Sequence, residues 1–236
     1  MEYVAFVALG FVSSIISSVF GFGTALVVLA VGSHILPVKE TIALATVLFA
    51  ASTLTKTLIF RNHIDWKIAG IMAICSLPFS YLGASLLAVV PADALKRLLG
   101  VMVLLYLIMN VFKLRPNFRI GTPGLVVGSA AYGFVSGLLG SGNLIKAIVF
   151  REMSITKEAF VGAMAATSVL SNFAKLTAYS QAGILTTDMA WPMAGLIASA
   201  VMVALFGRFL LRKISAVQFG YGVQIVLAVA AIGLVL

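Results

Sequence analysis

The sequence predicts an all-α, polytopic membrane protein built from two homologous halves. Of its 236 residues, 62% are apolar and 10% are charged, and the mean hydropathy is +1.15. Soluble domains have about 45–50% apolar and about 25% charged residues. The apolar residues form stretches of about 20, the length at which a helix crosses a hydrocarbon core of ~30 Å. Several short motifs also recur at an offset of about 120 residues.

Six stretches have the length and composition of single transmembrane helices. Each is longer than the roughly 9–11 residues of a membrane barrel strand and lacks strand alternation. Helices are therefore the remaining way to satisfy the backbone within lipid. The predicted spans are 41–60, 68–90, 94–114, 159–179, 189–211 and 216–236.

The first segment of each half is apolar but is interrupted by glycines. Residues 3–36 contain Gly21-Phe22-Gly23, and residues 123–150 contain Gly140-Ser141-Gly142. Paired glycines allow the backbone to unwind or reverse in mid-segment. Each segment is therefore predicted to be two half-helices that meet at a break, either as a re-entrant hairpin or as a broken span.

An internal repeat is indicated by matches that occur in the same order in both halves. We predict a first repeat over 1–114, a linker over 115–122, where charge, proline and glycine concentrate, and a second repeat over 123–236. The matches are FVSSI (11–15) with FVSGL (134–138), Lys39-Glu40 with Lys157-Glu158, STLTK (52–56) with SNFAK (171–175), Asp65 with Asp188, and Gly83 with Gly207.

The basic residues in connectors favour the hairpin alternative, because Lys and Arg are retained on the cytoplasmic side. If each first segment crosses the membrane once, eight connector Lys and Arg residues lie on one side of the membrane and five on the other. If each first segment is a hairpin, ten of these residues lie on one side and three on the other. The halves are then inverted relative to one another, and both termini lie outside the cytoplasm, across an inner (plasma) membrane. The ten are Arg61, Lys67, Lys113, Arg115, Arg119, Arg151, Lys157, Arg208, Arg212 and Lys213, and the three are Lys39, Lys96 and Arg97.

All seven acidic residues lie in connectors or at span ends, so coupling by a carboxylate within the membrane is not expected. No metalloprotease motif, paired aspartates or activated serine is apparent, and we predict neither an enzyme nor a cofactor. The net charge of +9 is distributed over connectors and forms no basic face, so nucleic acid is not an expected partner. The expected partners are the lipid bilayer and a small anion, and a homodimer is an open alternative to a monomer.

Small polar residues at the two breaks and on the spans that follow them form the predicted anion site. A half-helix that begins after a break directs unpaired N–H groups and its positive dipole end toward the bilayer midplane. Close helix packing is the alternative explanation for these residues. The predicted substrate-binding residues are Gly21, Gly23, Thr24, Ser52, Gly140, Ser141, Gly142, Asn143, Lys146, Ser171 and Asn172.

Three lysines interrupt apolar sequence. Lys56 and Lys175 lie about five residues from a span end, and we expect them to snorkel to the interface. Lys146 follows the second break by one helical turn and can face the same cavity.

The motifs FVSSIISSVFGFG and FVSGLLGSG, with the loop Arg61–Trp66, resemble those of the sulfite exporter TauE/SafE family, also called the sulfonate uptake permeases. The resemblance extends over nearly the whole chain. It implies a multi-pass inner-membrane transporter of about eight segments that handles sulfite, thiosulfate or organosulfonates. An anion channel and a non-transporting membrane subunit or sensor are the alternatives.

Overall fold

The computed structural model describes residues 1–20, 24–112, 121–151 and 157–210, and residues 224, 227–228 and 230–234 near the C-terminus. The described residues up to 210 form nine α-helices, those near the C-terminus are also helical, and no described residue is in a strand, which confirms the all-α prediction. The helices are α1 (Glu2–Phe20), α2 (Thr24–Gly32), α3 (Val38–Phe60), α4 (Trp66–Val89), α5 (Ala92–Val111), α6 (Thr122–Leu139), α7 (Asn143–Arg151), α8 (Lys157–Gln181) and α9 (Ala190–Leu210).

Three stretches of the described chain are long and apolar enough to cross a membrane by themselves: Val38–His63, Trp66–Val89 and Thr187–Phe206. They contain α3, α4 and most of α9 and confirm a multi-pass membrane protein. The helix α8 has 25 residues and carries five buried polar side chains: Thr167, Ser168, Ser171, Asn172 and Lys175.

Local sequence signals explain where several helices begin and end. Asp65 caps α4, and its carboxylate accepts hydrogen bonds from the backbone N–H groups of Lys67 and Ile68, both at 3.1 Å. Pro123 occupies the first turn of α6, where its missing N–H has no cost. Gly140 ends α6 with a φ of +80°, a left-handed conformation that favours glycine.

Each glycine-broken segment turns back on itself. Gly32, at the end of α2, packs against Phe6 near the start of α1. Gly128 of α6 packs against Val149 of α7 in the same antiparallel manner. This geometry agrees with the hairpin alternative rather than a broken span; Gly21 and Gly23 themselves lie outside the described residues.

The bundle has two ends, which we call the Tyr3 end and the Arg61 end. At the Tyr3 end, the Tyr3 hydroxyl donates to Glu40 at the start of α3, at 3.1 Å. The Lys39 ammonium donates to the carbonyl of Ala88 at the end of α4, at 2.7 Å. At the Arg61 end, Ile64 contacts Gly162 near the start of α8. The helices α3 and α8 therefore run in opposite directions.

The two hairpins enter the bundle from opposite ends. The helix α1 starts at the Tyr3 end, beside the start of α3. The helix α6 runs parallel to α4, since Gly133 lies against Ser76 and Gly137 against Ser80, and it therefore starts at the Arg61 end.

The closest helix contact joins α4 and α6. A Cβ at Gly133 or Gly137 would overlap the carbonyl oxygen of Ser76 or Ser80, and one at Gly83 would overlap the carbonyl of Phe134. Small residues four apart on facing helices allow such backbone contact within a membrane. The second hairpin is thereby fixed against α4.

Candidate functional site

A polar cavity of about 70 Å³ lies between α3, α6, α7 and α8. One water needs about 10–15 Å³ on this scale, so the cavity has room for a small polyatomic ion. It extends from the middle of the bundle toward the Arg61 end, where Lys56 and Val161 line it within one or two turns of the helix ends. Its polar side chains are those of Ser52, Thr53, Lys56, Tyr132, Ser136, Ser141, Asn143, Ser168, Asn172 and Lys175.

Lys175 lines the inner part of this cavity. It is only 1% exposed, and its ammonium donates to the Ser136 hydroxyl at 3.1 Å and to the Gly140 carbonyl at 3.0 Å. The expectation that Lys175 snorkels to the interface is therefore wrong. Its side chain is bound by the tip of the second hairpin, where the carbonyl at the end of α6 offers the negative end of a helix dipole.

Lys56 lines the same cavity from α3. It is partly buried, near the Arg61 end, and it occupies the position of the first half that matches Lys175 in the STLTK and SNFAK motifs. The two matched lysines thus face one space from opposite helices.

The second glycine break forms the inner wall of the cavity. Gly140, Ser141 and Asn143 all line it, and Asn143 is the first residue of α7. The amino end of α7 therefore faces the cavity with its positive dipole end. Ala25 of α2 lines the cavity from the first hairpin.

The helices α3 and α8 meet beside the cavity through a matched pair of polar residues. The Asn172 side-chain amide donates to the Thr53 hydroxyl at 3.1 Å. Thr53 and Asn172 occupy the same place in the repeated motifs, as do Ser52 and Ser171. Ser52 lines the cavity, whereas Ser171 is buried against α4 and hydrogen-bonds the Ser80 hydroxyl at 2.7 Å.

Lys146 is completely buried but does not line the cavity. Its ammonium donates to the Met164 carbonyl at 2.7 Å, to the Thr167 hydroxyl at 3.4 Å and to the Ser168 hydroxyl. It also lies 4.5 Å from the centre of the Tyr132 ring. Ser168 and Tyr132 separate this charge from the cavity.

The structure thus brings together some of the residues predicted for the site and not others. Ser52, Gly140, Ser141, Asn143 and Asn172 line one cavity. Gly142, Lys146 and Ser171 do not line it; Gly142 packs against Tyr132 instead. Gly21, Gly23 and the side chain of Thr24 lie outside the description.

Sequence reasoning missed Tyr132, Ser136 and the role of Lys175. Tyr132 is 2% exposed, and its hydroxyl donates to Ser168 at 3.2 Å. The repeat offered one usable signal for Ser136, because it is the serine shared by the FVSSI and FVSGL motifs. No such signal marks Tyr132, since an aromatic residue in an apolar span is equally suited to face lipid.

A comparison with protein families finds a match over residues 6–234, nearly the whole chain, to the family described as Sulfite exporter TauE/SafE. No curated protein and no solved structure shows a significant match.

Proposed function

Because the chain belongs to the sulfite exporter TauE/SafE family, a family of membrane transporters rather than enzymes, we propose that it carries sulfite, thiosulfate or an organosulfonate. We place the substrate in the polar cavity between α3, α6, α7 and α8, near the bilayer midplane. This cavity has room for several waters and therefore for a small anion.

The observation that carries this proposal is the charge of the cavity. Lys175 and Lys56 line it, and its described lining contains no Asp or Glu. Lys175 is buried, and its ammonium donates to a neutral hydroxyl and a carbonyl; neutral acceptors compensate only part of the cost of a charge in a medium of low dielectric constant. A bound anion offsets that cost, so the site favours negative ligands.

Uncharged hydrogen-bond donors also line the cavity and suit the oxygens of an oxyanion. The hydroxyls of Ser52 and Ser141 and the amide of Asn143 reach the same space. The amino end of α7 adds a positive dipole end without a counter-charge. Several donors around one space suit the three or more oxygens of a sulfur oxyanion.

We further propose that the halves are inverted repeats and that the Arg61 end faces the cytoplasm of an inner membrane. The contact pattern supports this: α4 packs on α6 and α8, while α9 packs on α1 and α3. In the proposed repeat, α4 corresponds to α9, α6 to α1 and α8 to α3. The contacts of α4 are therefore equivalent to those of α9. Five of the ten connector Lys and Arg residues assigned to one side are described, and they lie near helix ends at the Arg61 end: Arg61, Lys67, Arg151, Lys157 and Arg208.

The test is counterflow of labelled anion into proteoliposomes that contain the purified protein and an internal pool of unlabelled anion. Sulfite, thiosulfate, a small sulfonate, sulfate and chloride are compared. We expect saturable exchange of at least one sulfur anion. Non-saturable flux would indicate an anion channel, and no exchange by the folded protein would contradict a transport function for these solutes.

Lys175→Met links the exchange to the cavity. Loss of one charged, hydrogen-bonded contact corresponds to about 1.5–3 kcal/mol, so we expect anion affinity to fall at least about tenfold. Lys67→Met removes an exposed lysine at the Arg61 end and serves as the matched control. Equal affinity in the two variants would remove Lys175 from the binding site.

A further inference from the structure

The cavity is closed on one side by a contact between a lysine and a hairpin. It extends toward the Arg61 end, and on the Tyr3 side the tip of the second hairpin blocks it. Lys175 holds this tip through Ser136 and Gly140. Tyr179, one turn closer to the Tyr3 end, donates to the carbonyl of Gly137 on the same hairpin. We call the contact between Lys175 and Ser136 the Lys175 latch.

The first half contains the same two residue types, but the structure does not show the corresponding contact. Ser13 is the counterpart of Ser136 in the repeated FVS motif. It is 2% exposed, and within the described part of the chain its hydroxyl is the one buried side-chain oxygen without a hydrogen-bond partner. Lys56, the counterpart of Lys175, instead lines the cavity.

An unsatisfied buried hydroxyl costs about 1–3 kcal/mol. Native proteins retain few such groups, and each requires a physical explanation. A second conformation in which the hydroxyl acquires a partner is one such explanation.

The depth of the two residues in the bundle allows Lys56 to be that partner. Gly10 of α1 lies against Leu48 of α3, and both helices run inward from the Tyr3 end. Ser13 is therefore about as deep as residue 51, and Lys56 lies about 7.5 Å deeper. A lysine side chain that points back toward the amino end of its helix spans about 6 Å, so the Lys56 ammonium can approach the depth of Ser13, and a movement of α1 toward α3 would complete the contact.

We propose that the two lysines form alternating latches. In the described state the Lys175 latch closes the Tyr3 side and the cavity is accessible from the Arg61 end. In the opposite state Lys56 donates to Ser13, this contact between α3 and α1 closes the Arg61 side, and the Lys175 latch opens. This inference rests on the proposed transport function and assigns to the repeats the change of access that transport requires.

Cysteine accessibility tests the exchange without any need for a substrate. In a Cys75→Ala background, Val161→Cys reports on the Arg61 side of the cavity, and Ala178→Cys reports on the buried position one turn from Lys175 toward the Tyr3 end. A membrane-impermeant maleimide is applied separately to each face of sealed vesicles. Labelling rates then measure how much of each state is present.

Ser136→Ala weakens the Lys175 latch. A hydrogen bond to an ammonium corresponds to roughly a tenfold change in the balance of states. We expect labelling of Ala178→Cys from the Tyr3 face to rise about tenfold. Adding Ser13→Ala to this variant weakens the opposite latch and should return the rate close to its original value.

Ser14→Ala is the matched control, because Ser14 is the neighbouring buried serine on the same helix. It should change labelling less than twofold in either background. The proposal is overturned if Ser13→Ala behaves like Ser14→Ala, or if Ser136→Ala leaves Ala178→Cys unlabelled.

Counterflow and labelling can fail independently. Alternating labelling without exchange of sulfur anions would retain the latches and reject the substrate. Saturable exchange with unchanged labelling would retain the transporter and reject the latches.

Discussion

A lysine ammonium inside a membrane bundle needs a carboxylate, an anion or several neutral acceptors. Lys146 has the last of these, since one carbonyl and two hydroxyls accept its hydrogen bonds beside the Tyr132 ring. Lys175 has two such acceptors and lines the cavity. Lys146 is thus a fixed charge behind the cavity wall, whereas Lys175 is placed to meet a substrate.

This difference predicts a graded effect of removing each charge. Lys146→Met should weaken anion binding only several-fold, because Coulomb attraction decreases with distance and Ser168 and Tyr132 lie between. Lys175→Met should weaken it at least about tenfold, as argued above. Ser168 also donates to the Met164 carbonyl, at 3.0 Å, so that hydroxyl retains a partner in the Lys146 variant.

Titration of the purified variants with the anion found by counterflow measures both dissociation constants. A larger loss for Lys146→Met than for Lys175→Met would show that Lys146 contacts the ligand directly. A loss confined to thermal stability would reduce Lys146 to a packing role.

At the scale of elements, the helix pair α4 and α6 places the second hairpin. The sequence indicated close packing through its many glycines, but it did not indicate which ones meet. Gly137 of α6 lies against the Ser80 carbonyl of α4, whereas Gly70 of α4 has no atom near the place of a Cβ. The two positions therefore separate the effect of packing from that of helix propensity.

Gly137→Ala should destabilise the folded protein, since its Cβ would force two helix backbones apart; overpacking costs about 1–3 kcal/mol. Gly70→Ala should be neutral or stabilising by up to about 1 kcal/mol, because alanine is the better helix former. Thermal unfolding in detergent measures both. Equal midpoints for the two variants would contradict the backbone contact between α4 and α6.

At the scale of the whole molecule, the entry of the two hairpins from opposite ends gives the proposed topology. It predicts that cysteines at Arg61 and Arg151 are both labelled by an impermeant reagent from the cytoplasmic face only. Asp93→Cys, in the first turn of α5 at the Tyr3 end, should be labelled only from the other face.

Each alternative topology gives a different labelling result. Labelling of Arg61→Cys and Arg151→Cys from opposite faces would indicate eight single crossings. Labelling of both from the external face would reverse the orientation inferred from the connector charges.

The sequence by itself determined the membrane class, the all-α architecture, the helices α3, α4, α5, α8 and α9 to within a few residues, and the places where the first segments break. These properties depend on composition and on backbone constraints that act within about 20 residues. The sequence also placed every Asp and Glu in a connector or at a span end, so coupling by a carboxylate within the membrane was not expected.

The tertiary structure alone decided which polar residues face one another. In a helix of a soluble protein, the polar stripe marks the side that faces water. Lipid is as apolar as a protein core, so the polarity pattern of a membrane helix indicates little about which face is buried. The sequence therefore suggested the opposite assignment, with Lys146 at the cavity and Lys175 at the membrane interface. Only the packing of α6 and α7 against α8 encloses Lys146 with neutral acceptors and leaves Lys175 at the cavity.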